Sequence, residues 1–361
     1  MADNFALFGR DLFGDAIHPV RNGALSVRFE FPPFSVLNAR EGEWQKRKQA
    51  WISTGIKSEV GRGAVCYQIG DKAKWDESIK KRNRSAPGGS LRLACDYSNK
   101  ERGDGVGRQI KRDGLIHKGA TVDTKHGDKW DGGRPAWQNE GTSIFDPVLC
   151  ELMYRWFCPA GGQIVDPFAG GSVRGIVAGL LGYKYWGCDL RQEQIDANEE
   201  QRAIAQDAAI AWVCGDALDC VPQAPRADFV FSCPPYGDLE RYSDDPKDLS
   251  TMEYHTFIAN YKRIILRCYQ QLKDDRLACF VVGDFRDKRT GNYRGFVADT
   301  INAFREVGFG LYNDAILITA VGSLPVRVSG QFDAGRKLGK THQNVLVFAK
   351  GNPKKAFGNG G

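Results

Sequence analysis

No run of apolar residues in this 361-residue chain approaches the roughly 18 needed to span a bilayer, which excludes a helical membrane protein. Its ten cysteines never fall in a CxxC spacing, so neither a zinc ribbon nor a dithiol redox motif is expected, and they read as scattered thiols in a reducing compartment. The five histidines are equally isolated, and no structural metal is expected. The first residues, MADNFALFGRDLFGDA, carry acids and lack the basic start and apolar run of a secretory signal. A cytoplasmic protein follows as the expectation. Neither GxGxxG nor GxxxxGK[ST] occurs at the chain's Gly-rich turn after residue 166, which disfavours a nucleoside triphosphate there.

What is present is unevenly distributed. The formal net charge is +6, yet residues 40–128 hold 20 Lys and Arg against 12 Asp and Glu, so the basic excess is confined to the first third. Cations there alternate with aromatic residues, as in EGEWQKRKQAW, DKAKWDESIKKRNR and RQIKRDGLIHK. Such a surface suits phosphates through charge and bases through stacking. Residues 119–141 are rich in Gly, Asp and Lys without apolar periodicity and read as a linker. The composition thus predicts a basic N-terminal recognition region of unassigned fold over 1–118, a linker over 119–141, a catalytic domain over 142–351, and a frayed tail over 352–361.

After the linker, short apolar runs alternate with longer amphipathic ones. The pattern predicts helices over 145–157, 172–181, 192–205, 252–272 and 296–307. Strands are expected over 163–166, 185–189, 211–214, 227–232, 277–283, 314–320 and 344–349, with a Gly-rich insertion, 321–340, before the last. Strand and helix in alternation imply an α/β fold with an open, mostly parallel seven-stranded sheet covered by helices on both faces.

In such sheets ligands bind beyond the carboxyl ends of the strands. The first strand runs into IVDPFAGGS, whose glycines leave no side chain to block a close-approaching ligand. The next two end in GCDL and CGDAL, placing Asp189 to accept from ribose hydroxyls and Asp216 near an amino group on an adenine ring. The fourth ends in FVFSCPPYGD. Two prolines directly after a buried strand fix a rigid exit and remove two backbone donors, leaving carbonyls for a ligand, and Tyr236 supplies a flat ring for stacking.

DPFAGGS followed about 65 residues later by SCPPY resembles the S-adenosylmethionine-dependent methyltransferases that modify exocyclic amines of DNA bases, at cytosine N4 or adenine N6. The stretch PPFSVLNAREGEWQKRKQAWISTGIKSEVGR is also similar to phage-encoded DNA modification methylases, which act with or without a restriction partner. The resemblance implies a Rossmann-like methyltransferase fold, S-adenosylmethionine as cofactor, and double-stranded DNA as partner. It further implies a cofactor loop of Asp166, Pro167, Phe168, Ala169, Gly170, Gly171 and Ser172, with Asp189 and Leu190 at the ribose and Asp216 and Ala217 at the adenine. Thr142, Ser143 and Phe145, in TSIFDP, would touch the methionine end. Ser232, Cys233, Pro234, Pro235 and Tyr236 would be the catalytic motif.

Cys233 departs from the Asp, Asn or Ser usual in that family. SCPPY lies closest to TSPPY, the form commonest in cytosine N4 enzymes, which favours cytosine N4 over adenine N6. Two alternatives stay open at this point: a pyrimidine carbon-5 methyltransferase with Cys233 as nucleophile, and an inactive nucleic-acid-binding protein on this scaffold. Too few residues separate the two motifs for a recognition domain, which leaves the basic third and the insertion 321–340 for DNA contact.

Overall fold

The computed structural model describes residues 24–57, 145–239, 241–321 and 324–357. Along the chain run α1 (Ala24–Phe29), β1 (Val36–Asn38), α2 (Gly42–Ser53), α3 (Pro147–Phe157), β2 (Gln163–Asp166), α4 (Val173–Leu180), β3 (Lys184–Asp189) and α5 (Gln192–Glu200). There follow β4 (Ile210–Cys214), α6 (Ala217–Cys220), β5 (Ala227–Ser232), α7 (Tyr254–Gln271), β6 (Leu272–Val282), α8 (Phe296–Glu306), β7 (Gly310–Ile318), α9 (Leu324–Gly335) and β8 (His342–Lys350). No helix among the described residues is long and apolar enough to cross a membrane.

Eight strands form one sheet in the order β1-β7-β8-β6-β5-β2-β3-β4. Only β8 runs antiparallel to its neighbours β6 and β7; every other pairing is parallel. The seven expected strands become eight because Val36, Leu37 and Asn38 pair with Ile316, Leu317 and Ile318 of β7. Residues 24–57, expected within the N-terminal recognition region, thus supply an edge strand to the sheet expected over 142–351.

Successive residues of the central strands go to opposite faces. Ile164, Phe229 and Phe231 join one apolar cluster with α3 and α4, whereas Val165 and Val230 join a second with α7 and α8. Both faces are therefore covered, which is why these strands read as near-continuous apolar runs and not as alternation. On α7 the buried residues Phe257, Tyr261, Ile264, Ile265 and Cys268 recur at helical spacing and form its inner stripe.

α3 is buried along its first eight residues, Pro147 to Tyr154, and starts on Asp146, whose carboxylate accepts from the backbone N–H groups of Val148 and Leu149. Its buried Glu151 is met by α2: Arg47 and the Trp51 indole donate to it, and Arg155 adds a bond from within α3. The second indole of α2, Trp44, donates to Asp146 at 3.2 Å. Trp44 and Trp51 are 1% and 3% exposed, and Lys48 pairs with Asp146 at 3.0 Å. This corrects the reading of EGEWQKRKQAW as a stacking surface, since its tryptophans are core and two of its cations are spent on α3. The remaining basic runs, beyond residue 57, lie outside the described residues.

Residues 321–340 belong to a separate unit. The Gly-rich insertion expected there contains α9, and the Leu324 side chain lies against Gly339.

Candidate active site

From β2 the chain moves outward through β3 to β4, then returns to place β5 on the other side of β2. The order of strands therefore reverses between β2 and β5, and the crevice beyond their carboxyl ends is where such sheets bind ligands. A cleft lies there, and its lining includes Phe168, Gly170, Asp189, Asp216, Cys233 and Pro235.

The Gly-rich turn after β2 is held from three sides. The Ala169 N–H donates to the Cys188 carbonyl at 2.8 Å. The Gly170 N–H donates to Asp189 at 3.1 Å, and the Gly170 carbonyl accepts from the Asn198 amide at 2.7 Å. Gly170 adopts φ +50°, and a Cβ there would meet nothing closer than 3.9 Å, so the turn opens onto space that a ligand can fill. Gly187 serves close approach instead: a Cβ on it would come within 2.9 Å of Ala169 and 2.7 Å of the Tyr185 hydroxyl.

Asp166 does not face this cleft. Its carboxylate is buried and accepts from four groups: the Phe168 N–H at 3.1 Å, the Ser232 hydroxyl at 2.5 Å, Arg174 at 2.5 Å and the Tyr185 hydroxyl at 2.8 Å. Ser232, expected in the catalytic motif, is buried and donates its hydroxyl to this hub. Both expectations are corrected for one reason: the side chains closing β2 and β5 meet each other across the sheet, tying the two loops together. Gly171 and Ser172 are buried too, and the Ser172 hydroxyl has no hydrogen-bond partner among the described residues. Phe145 lies under the Arg174 guanidinium, 4.6 Å from ring centre, and edge-on to Phe231. It is not among the residues lining the cleft. Thr142 and Ser143 fall outside the described residues.

Asp189 and Asp216 lie where the sequence puts them, at the ends of β3 and β4, and both line the cleft with Leu190 and Ala217. The two oxygens of Asp189 each take one backbone N–H, from Gly170 and from Arg191 at 3.0 Å. A carboxylate has about four acceptor sites, so roughly two remain. Burial pushes the Asp189 carboxyl above its ordinary value, against the two backbone donors. Asp216 caps α6 through a 2.9 Å bond from the Leu218 N–H, and its second oxygen has no partner among the described residues.

Beyond β5, Cys233 and Pro235 line the cleft, Pro234 is buried, and Tyr236 is half-buried. The Pro234 carbonyl meets no donor among the described residues. The Cys233 sulfur lies 3.7 Å from the Tyr236 hydroxyl, which accepts a 2.7 Å bond from the Gln343 amide. The Tyr236 ring packs edge-on against Phe296 with centroids 6.0 Å apart, which fixes its plane. Burial pushes the Tyr236 hydroxyl well above its ordinary value. Among the described residues no group of three or more His, Cys, Asp or Glu could hold a metal ion.

Several participants escaped the sequence reading. Gln194 and Asn198, four apart on the inner face of α5, bond to each other at 3.1 Å, and Asn198 carries the Gly170 carbonyl. Their signal was two amides at helical spacing on a face that must be buried. Gln343 stands at the start of β8, which runs antiparallel and so begins at the edge where its neighbours end. Tyr242, Lys247, Asp248 and Leu249 line the cleft from the connection after β5, which no periodicity marks.

No family model matches the sequence, and neither does any curated protein. Solved structures similar to the chain include TrmN from Thermus thermophilus, at 14% identity and TM-score 0.38 over 57% of this chain and 49% of TrmN. The chain thus spans about half the length of TrmN. A TehB-like SAM-dependent methyltransferase from Corynebacterium glutamicum is similar at 18% identity and TM-score 0.36, over 58% of this chain and 90% of that one. A second Thermus thermophilus protein, described as a candidate DNA modification methylase, shares 19% identity at TM-score 0.29, over 38% of this chain and 51% of its own. At these identities and scores the likeness assigns no function.

Proposed function

We propose that this protein is an S-adenosylmethionine-dependent methyltransferase acting on an exocyclic amine of a DNA base, cytosine N4 in preference to adenine N6. The observation that carries the reading is the convergence, at one switch-point cleft, of the open Gly170 turn, Asp189, Asp216 and, from the exit of β5, Cys233 and Pro235.

The residues present fit the cofactor. Asp189 keeps acceptor capacity for vicinal ribose hydroxyls after holding Gly170 and Arg191, and the Asp216 oxygen that meets no donor among the described residues suits an adenine amino group. Phe168, Leu190, Ala217, Leu249 and Ile264 give the same cleft apolar walls for a purine ring. When bound, S-adenosylmethionine would supply a methyl group made electrophilic by its sulfonium, and transfer to the amine would break the methyl–sulfur bond and release an amine proton to solvent.

The chain's own task is to prepare the amine. A base amine is a poor nucleophile because its lone pair is conjugated into the ring. Hydrogen bonds from the NH2 group to the Pro234 carbonyl and to the Cys233 side chain would turn the nitrogen toward tetrahedral geometry and hold it for in-line attack. The proline pair fixes that carbonyl, and the Phe296 and Gln343 contacts fix Tyr236 beside it. Reaching a base in duplex DNA requires extruding it, at a cost of about a few kcal/mol.

Incubation with methyl-labelled cofactor and either duplex DNA or RNA tests the reading. Label is expected in the DNA; label in RNA alone would replace the substrate, and label in neither would remove the activity.

A further inference from the structure

β6 pairs with β5 up to Phe280 opposite Ser232, then runs on through Val282 at the edge of the sheet where Cys233 leaves β5. There the chain turns into a short hairpin, closed by an antiparallel bridge between Arg286 and Tyr293. The Asp287 N–H donates to the Asn292 carbonyl at 2.9 Å, and the Gly291 N–H returns to the Asp287 carbonyl at 2.8 Å. The Asp287 carboxylate takes the Arg289 and Thr290 N–H groups at 2.8 and 2.7 Å and pairs with Arg294 at 3.0 Å. At its base, Asp284 accepts from the backbone of Phe285, Gly295 and Phe296. The loop is thus built to one shape by its own backbone bonds.

Its position and chemistry are both informative. Phe285 fills the space beside Gly237, where a Cβ would come within 2.8 Å of its ring, so the hairpin springs from the wall of the Cys233–Tyr236 exit. It carries Arg286, Lys288 and Arg289, and Arg294 at its foot pairs with Asp287. Lys288 and Arg289 are exposed at the tip. The Arg286 guanidinium lies over the Tyr293 ring at 3.9 Å, and Tyr293 is 44% exposed. None of these residues lines the cleft.

We propose that the hairpin 286–293 is the surface that grips the nucleic-acid backbone next to the base site, with Lys288 and Arg289 on phosphates and the Arg286–Tyr293 stack against an adjoining base. The proposal rests on the nucleic-acid reading above and assigns the contact to a segment that composition did not single out. Phosphate contacts of this kind set affinity through released counterions, and an aromatic face adds stacking that tolerates any base.

The test uses the full chain. Anisotropy titrations of a fluorescent duplex between about 50 and 200 mM salt compare the wild type with the Lys288→Ala/Arg289→Ala double variant, and calorimetry with S-adenosylhomocysteine runs beside them. The double variant is expected to bind DNA roughly tenfold or more weakly, with the slope of log K against log salt shallower by about 1.8, or about 0.9 for each lost phosphate contact. Its binding of S-adenosylhomocysteine is expected to be unchanged. A double variant with wild-type affinity and slope, in a protein that methylates DNA, overturns the hairpin assignment alone. A wild type that binds no DNA at any salt overturns the hairpin assignment together with the nucleic-acid reading.

Discussion

Asp189 holds two backbone N–H groups and still lines the cleft, whereas Asp166, at the equivalent end of the neighbouring strand, is wholly consumed by the protein. The two differ in what substitution should do. Asp189→Ala removes a charge-assisted acceptor from the ribose side, so binding of S-adenosylhomocysteine should weaken by about tenfold to a hundredfold, roughly 1.5 to 3 kcal/mol. Calorimetry on the folded variant measures this, and unchanged affinity would remove the ribose assignment. Residue types at the strand ends were legible in the sequence; side-chain direction was not. Asp166 and Ser232 carry the expected chemistry, yet each turns toward the other, because a buried carboxylate must gather donors and the nearest were on the adjacent strand and α4. Gln343 was illegible for a different reason: only the reversal of β8 brings the start of a strand to the edge where the others end.

At the scale of the element, α2 shows how composition misleads. Alternating cations and tryptophans describe a nucleic-acid surface and a docked helix equally well, and the deciding fact is the partner. Trp44 and Trp51, seven apart, share one face, and α3 buries Glu151 within PVLCELMYRWF, where its own Arg155 supplies one cation and Arg47 of α2 a second. Burial alone would push the Glu151 carboxyl up, but the hydrogen bond and charge of Arg47, with Arg155 and Trp51, outweigh it and hold the group below its ordinary value. A depressed carboxyl contributes stability that is complete above the pKa of the unfolded chain and is lost as pH falls through the folded value. Removing the charge with Glu151→Gln leaves the half-buried Arg47 with Glu30 as its ion-pair partner, at a cost of about 1 to 3 kcal/mol. Thermal unfolding at neutral and acid pH reads both effects: the variant should melt lower than wild type at neutral pH, and the gap should narrow toward acid. A gap independent of pH would mean that the pair's charge contributes nothing.

Across the whole molecule, alternation of strand and helix fixed the architecture, since each parallel crossover needs a helix and each helix must cover a sheet face. The order of the central strands follows, and with it the crevice between β2 and β5 that holds the candidate site. β1 was not legible: three residues, Val36 to Asn38, are too few for a periodicity, and only β7's open edge makes them a strand. The hairpin after β6 lay hidden because its shape comes from backbone bonds closing on Asp287, with no apolar pattern to announce it. The crevice and the hairpin lie at the same end of the sheet, where β5 exits into Cys233 and β6 runs on past Phe280.

The central claim is direct methyl transfer to an amine, with Cys233 as an acceptor and not a nucleophile. Mass spectrometry of nucleosides from DNA treated with wild type and Cys233→Ser tests it most directly. The account predicts a methyl group on an exocyclic amine, cytosine N4 above adenine N6, and a serine variant that keeps or improves turnover, because a hydroxyl accepts better than a thiol. A methyl group on carbon 5 of a pyrimidine, made by the wild type and absent with the serine variant, would contradict it.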